Sequence, residues 1–142
     1  MTVDAQLHHE ISDVLIRYAT GIDSKDWELF RSCFADECEL DYAPIGVWRS
    51  PDEIAAFMDA AHANSPHTMH RITNIVVTSG EDGTAKARSY VDALILMGAS
   101  TAAHPTGFYD DELVRTADGW RIARRRFTSV LMRVTNGIDA TA

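Results

Sequence analysis

From Thr84 to about Val134 the chain reads as long β-strands joined by tight turns with no helical period between them, and this limits the fold more than any other feature. Ala87, Ser89, Val91, Ala93 and Ile95 alternate with Lys86, Arg88, Tyr90, Asp92 and Leu94, the two-residue period of a strand with two unlike faces. Upstream, Ile72, Ile75, Val76 and Val77 form a β-branched run closed by the turn Ser79-Gly80-Glu81-Asp82-Gly83. Downstream, Thr101 to Pro105 reads as a loop, Gly107 to Val114 as a strand, and Ala117-Asp118-Gly119 as the turn into a last strand from Trp120. Strands joined this directly pair antiparallel. A doubly wound parallel sheet, which needs a helix after each strand, is excluded.

The first part of the chain is helical. Leu7, Ile11, Val14, Leu15, Tyr18 and Ile22 fall three and four apart, so they share one face of a first helix, which Thr2 or Asp4 caps. Gly21 ends or loosens that helix. Asp23 or Ser24 then caps a second one, in which Trp27, Phe30 and Phe34 repeat the helical spacing. Ser50-Pro51-Asp52-Glu53 opens a third helix, with a capping Ser, Pro at the first helical position and Glu three after the Ser; Ile54, Phe57, Met58 and Ala61 face its core side. A short hairpin over Glu39 to Arg49 turns near Pro44 to Gly46. The expected fold is a single α+β domain, residues 1–142, in which a strongly bent antiparallel sheet carries three N-terminal helices on one face and forms a cone around a pocket. Met1 to Val3 and Asn136 to Ala142 read as loose tails.

With 13 Lys and Arg against 21 Asp and Glu, a net charge of −8, the chain is a poor ligand for phosphate backbones, and nucleic acid is not the expected partner. No stretch approaches the roughly 20 apolar residues that span a bilayer, and the opening MTVDAQLHHE lacks the order of a secretory signal, so neither a membrane nor export is expected and the cytoplasm is. Cys33 and Cys38 read as reduced thiols, and no Cys or His spacing suits zinc. No Gly-rich phosphate loop is present, so no cofactor or metal is expected. A sheet face carrying Val91, Ala93, Ile95 and Val130 would be too apolar to leave in water, which implies self-association.

Six histidines are available: His8, His9, His62, His67, His70 and His104. His8 and His9 near the start of the first helix, and His104 in a loop beside Pro105, suit the surface. His70 differs because it opens the strand that would line the cavity floor. Asp23 reads first as a helix cap. If Ser24 takes that role, its carboxylate is free to turn inward. Tyr18 lies on the buried face of the first helix, and Tyr42 is an aromatic strand residue of the kind usually found in cores.

Gly21-Ile22-Asp23 between the first two helices and His70-Arg71-Ile72-Thr73-Asn74 at the head of a long strand, 47 residues on, resemble the SnoaL-like branch of the nuclear-transport-factor-2-like superfamily. The group it most resembles holds hexachlorocyclohexane dehydrochlorinase, bile-acid 7α-dehydratase and scytalone dehydratase, whose members share an Asp-His dyad in a cone-shaped pocket. The likeness covers almost the whole chain, including Gly107-Phe108-Tyr109-Asp110-Asp111-Glu112-Leu113 and Asp118-Gly119-Trp120. It implies a cystatin-like fold, catalytic roles for Asp23 and His70, substrate binding by Tyr18 and Tyr42, and a pocket-lining Arg125. Simple alternation puts Arg125 opposite Trp120, so either a bulge intervenes or Arg124 or Arg126 points inward. The resemblance implies a homo-oligomer, with a trimer favoured over a dimer. One departure stands out: the second histidine of scytalone dehydratase, about 25 residues after the first, falls near Ile95, which is apolar.

A carboxylate that accepts from one imidazole nitrogen fixes the tautomer, makes the other nitrogen a better base and stabilises the imidazolium formed on proton abstraction. The expected activity is a cofactor-independent lyase of the dehydratase type acting on a hydrophobic small molecule. The alternatives are an isomerase or cyclase with the same dyad, and a ligand-binding or assembly subunit without chemistry.

Overall fold

The computed structural model describes residues 4–140. Helix α1 spans Ala5–Ser24, and Asp4 is its cap, accepting from the backbone N–H groups of Gln6 and Leu7 at 2.9 and 3.2 Å; Thr2 lies outside the described residues. Ile11, Val14, Leu15, Tyr18 and Ile22 are all buried, as their spacing predicts. Gly21 does not end the helix. The chain leaves it at Lys25, in the left-handed region at φ 55°, whose N–H reaches the carbonyls of Gly21 and Ile22. The glycine serves close approach instead, since a Cβ at position 21 would sit 2.9 Å from the backbone nitrogen of Phe30 in α2 (Trp27–Arg31).

The cap of α2 is Asp26, accepting from Leu29 N–H at 3.0 Å, and neither Asp23 nor Ser24 fills that role. Ser24 donates back to the Thr20 carbonyl at 2.6 Å, and Asp23 stays inside the last turn of α1 with its carboxylate free for other partners. Phe34 is not helical: it opens strand β1 (Phe34–Asp41), and its ring still meets that of Phe30 edge to face at 5.2 Å. After the short strand β2 (Val47–Trp48), helix α3 (Pro51–His62) begins with Ser50 accepting from Glu53 N–H at 3.1 Å, while the Glu53 carboxylate accepts from Arg49 N–H at 2.7 Å. Ile54, Ala55 and Met58 are buried, and Phe57 stays part-exposed over the Trp48 ring.

Four long strands follow: β3 (Thr68–Ser79), β4 (Thr84–Leu96), β5 (Thr101–Thr116) and β6 (Gly119–Asn136). They join β1 and β2 in one sheet of order β2-β1-β6-β5-β4-β3. The sheet is not wholly antiparallel, because β1 runs parallel to β6. That pairing joins segments more than 80 residues apart, beyond the reach of local patterns. Thr101 to Pro105 belongs to β5, so His104 lies in a strand; β4 and β5 pair from Asp92↔Thr106 directly to Ile95↔Ala103, skipping the stretch that holds Pro105, which has no N–H to donate.

Register shifts bend the sheet at four places: near Asn74, whose φ is 50°, between Glu112 and Leu113 opposite Ala123, between Thr106 and Gly107 opposite Val130, and between Phe34 and Glu39 of β1 where it pairs with β6. Gly107 is required at the third, since a Cβ there would collide with the Thr128 carbonyl. The inner face carries Ala85, Ala87, Val91 and Ala93, all buried. The expectation that Val91 and Ala93 lie on an exposed face is therefore corrected, because they point toward the helices. Exposed apolar side chains gather at the end of β6 instead, at Val130, Leu131 and Val134. The chain beyond β6 is tied down, with Ile138 and Ala140 N–H bonded to the carbonyls of Ser100 and Ala99, so 137–140 is not the loose tail expected. Met1 to Val3, Thr141 and Ala142 lie outside the described residues. Among those described, no helix is long and apolar enough to cross a membrane.

Candidate active site

Between the helices and the inner face of the sheet lies a cavity of about 220 Å³. Its walls are apolar except for five side chains, Tyr18, Tyr42, His62, His70 and Tyr109. A larger depression of about 600 Å³ lies on the outer face, but Arg88 there is already paired with Asp110 at 2.7 Å in an exposed, mixed-charge surface. The inner cavity is the better chemical site because it excludes water from the few polar groups it holds.

His70 lines it, and Asp23 meets the His70 ring from behind the wall. The Asp23 carboxylate accepts three hydrogen bonds, from the His70 ring Nδ1 at 2.6 Å, the His70 backbone N–H at 2.7 Å and the Thr68 hydroxyl at 2.9 Å. Ring and backbone of one residue are thus clamped by the two oxygens of one carboxylate. A carboxylate can only accept, so Nδ1 carries a proton, and the tautomer this selects has its lone pair on Nε2. The His70 side chain is 7% exposed. Burial alone would raise the Asp23 pKa, but the hydrogen bonds from the His70 ring, the His70 backbone and the Thr68 hydroxyl together hold the carboxyl below its ordinary value.

This linkage has a testable sign. A carboxyl whose pKa is lower folded than unfolded adds stability above its unfolded value, about 3.9, and loses it as pH falls through the folded value. Asp23→Asn is therefore expected to be less stable than the parent at pH 7, with the gap closing on acidification. Urea unfolding midpoints of both proteins at pH 7 and pH 3 measure it, and a gap of constant size would contradict the assignment.

Tyr18 and Tyr42 also arrive together, with hydroxyls 3.0 Å apart, and Tyr109 joins them at 3.2 Å from the Tyr18 hydroxyl. Burial raises the pKa of all three, so they remain protonated. Three O–H groups share two mutual hydrogen bonds, which leaves one proton for a ligand whichever way the chain is polarised.

Arg125 is 2% exposed and sits behind the tyrosines rather than in the cavity wall. The extra residue Ala123 resolves the alternation problem: Trp120 and Ile122 point inward, the bulge intervenes, and Arg125 points inward again while Arg124 and Arg126 stay outside. Its guanidinium donates twice to Asp111, at 2.7 and 2.9 Å, and once to the Tyr42 hydroxyl at 3.3 Å. It also lies over the Tyr109 and Tyr18 rings at 3.8 and 4.4 Å. Burial works against the Arg125 charge, but Asp111 and the Tyr42 and Tyr109 hydroxyls outweigh it and hold the group above its ordinary value. The pair is ionic and fully enclosed. Sequence reasoning did not single out Asp111, Tyr109 or His62. The alternation of β5 carried the signal for the first two, because Gly107, Tyr109, Asp111 and Leu113 occupy one face.

A bent sheet closed by helices over an apolar, polar-tipped cavity defines a cystatin-like α+β ligand-enclosing cone. The chain belongs to the SnoaL-like domain family, whose model matches residues 4–126. The uncharacterized protein Rv2910c of Mycobacterium tuberculosis is 27% identical over 128 residues, covering 88% of this chain and 86% of its own. Among solved structures, a candidate aromatic ring hydroxylase from Novosphingobium aromaticivorans is 27% identical, with a TM-score of 0.85 over 94% of this chain and 96% of that one. A candidate scytalone dehydratase from the same organism, at 22% identity, superposes with a TM-score of 0.81 over 92% and 91%. Hexachlorocyclohexane dehydrochlorinase LinA-type3 from Novosphingobium barchaimii, at 16%, gives 0.82 over 94% and 93%. At those last two identities the likeness is one of fold.

Proposed function

We propose that the protein is a cofactor-independent lyase that eliminates water from a hydrophobic small molecule, with His70 as general base and Asp23 as the group that orients it. The observation that carries this reading is the 2.6 Å bond between Asp23 and the His70 ring in the wall of an apolar cavity. A substrate with a C–H acidified by a neighbouring carbonyl gives that proton to His70 Nε2. The spare tyrosine proton hydrogen-bonds to the carbonyl oxygen, where negative charge develops. The electron pair of the broken C–H bond forms the new C=C bond, the C–O bond to the β-hydroxyl breaks, and the oxygen leaves as water with the proton held by His70. Asp23 stabilises the imidazolium in between. Tyr18 and Tyr42 act as substrate-binding groups with Tyr109, and Arg125 positions them from behind. The fold shared with a candidate scytalone dehydratase and a dehydrochlorinase supports an elimination chemistry of this type.

The test is to incubate the protein with a panel of apolar β-hydroxy ketones in deuterated water. The expected product is lighter by one water, recovered substrate carries deuterium at the acidic carbon, and Asp23→Asn slows both. An isomer of unchanged mass assigns the same base to an isomerase. No deuterium uptake anywhere in the panel, with Asp23→Asn equal to the parent, overturns the reading.

A further inference from the structure

His62 closes α3 and lines the same cavity as His70, with the two ring centroids 6.2 Å apart. It is 6% exposed. Its Nδ1 lies 2.8 Å from the Met58 carbonyl one turn back along the helix, and a carbonyl can only accept, so the ring proton is on Nδ1. Nε2 is left as a bare lone pair. That atom is buried with no hydrogen-bond partner among the described residues. A buried acceptor in that condition is unfavourable, and an oxygen or nitrogen that brings its own hydrogen relieves it. Burial outweighs the bond to the Met58 carbonyl and pushes the His62 pKa below its ordinary value, so the ring stays a neutral acceptor.

We infer that His62 is a specificity residue: its Nε2 accepts a hydrogen bond from a hydroxyl of the ligand, so the cavity selects hydroxylated apolar molecules over those whose polar groups only accept. The inventory of the cavity points the same way. Two histidines offer lone pairs, while the three tyrosine hydroxyls have one proton to spare. A ketone or halide alone satisfies the tyrosine proton and leaves His62 unpaired. A molecule with both a carbonyl and a hydroxyl satisfies both. This deepens the elimination reading and rests on it for the cavity as the ligand site.

The experiment compares 2-naphthol with naphthalene, which differ by one hydroxyl, in protein labelled with ¹⁵N at histidine. The His62 Nε2 resonance is expected to move on binding 2-naphthol and to stay in place with naphthalene. In His62→Phe the ratio of 2-naphthol to naphthalene affinity falls about tenfold, the consequence of losing one buried hydrogen bond, while His62→Gln, which keeps an acceptor, retains most of it. An unchanged ratio in His62→Phe, or a shift confined to the His70 ring, overturns the inference and leaves the cavity reading intact. If neither probe binds, the cavity reading falls and takes this one with it. Should His62→Phe fail to fold, the resonance shifts of the native protein decide.

Discussion

Alanine in place of His70 is expected to lower turnover by about 10²–10⁴-fold, the usual range for losing a positioned general base. The loss should fall on kcat with little change in KM, because the lone pair acts on the C–H bond only as it breaks, while the rest of the cavity wall, which binds the ground state, is untouched. The fold should persist. Asp23 keeps two of its three donors in the variant, the Thr68 hydroxyl and the backbone N–H of position 70, so the last turn of α1 stays pinned to β3. Steady-state kinetics on a substrate identified by the deuterium panel, with circular dichroism as the folding control, measures it. A variant with parental kcat would remove His70 from the chemistry.

The second large effect concerns stability. Asp111→Ala strands the Arg125 guanidinium, 2% exposed and packed on two aromatic rings, without its counter-ion, and breaking a buried pair of this kind costs about 3–5 kcal/mol. Urea denaturation reads it directly as a drop in midpoint at constant slope. Replacing both partners with apolar residues of similar volume, Asp111→Leu with Arg125→Met, should recover most of that loss, because no charge is then left uncompensated. The double variant should nonetheless bind ligand poorly, since the Tyr42 hydroxyl loses its bond to the guanidinium and Tyr18 and Tyr109 lose the cation over their rings. A loss below about 1 kcal/mol in Asp111→Ala would mean that the guanidinium escapes to solvent.

The parts of this architecture that were legible in the sequence are those governed by neighbours along the chain. The stripe from Ile11 to Ile22, the Ser50-Pro51 start of α3 and the turn around Gly119 obey spacing and capping rules that act over a few residues. Phe34 misled because its i+4 distance from Phe30 suits a helix, yet the two rings meet equally well across the end of α2 and the start of β1. Pro105 misled because proline signals a loop, and here it occupies a strand position where one ladder is interrupted. The parallel pairing of β1 with β6 has no local signature at all. At the site, Asp23 and His70 were found through their place in a familiar pattern, whereas Asp111 was passed over because an acidic residue in the run Asp110-Asp111-Glu112 looks like surface until its partner across the sheet is known.

One extra residue in β6 fixes which side chains the core receives. Ala123 sets the phase of everything after it: with it, one arginine of the triplet at 124–126 is enclosed and two face water. Were the same residues to run through this point without a bulge, the parity of the strand would invert, driving Arg124 and Arg126 toward the interior and turning Arg125 away from Asp111. The reading frame of the sheet, rather than the identity of any one side chain, thus determines whether the tyrosines have a cation behind them.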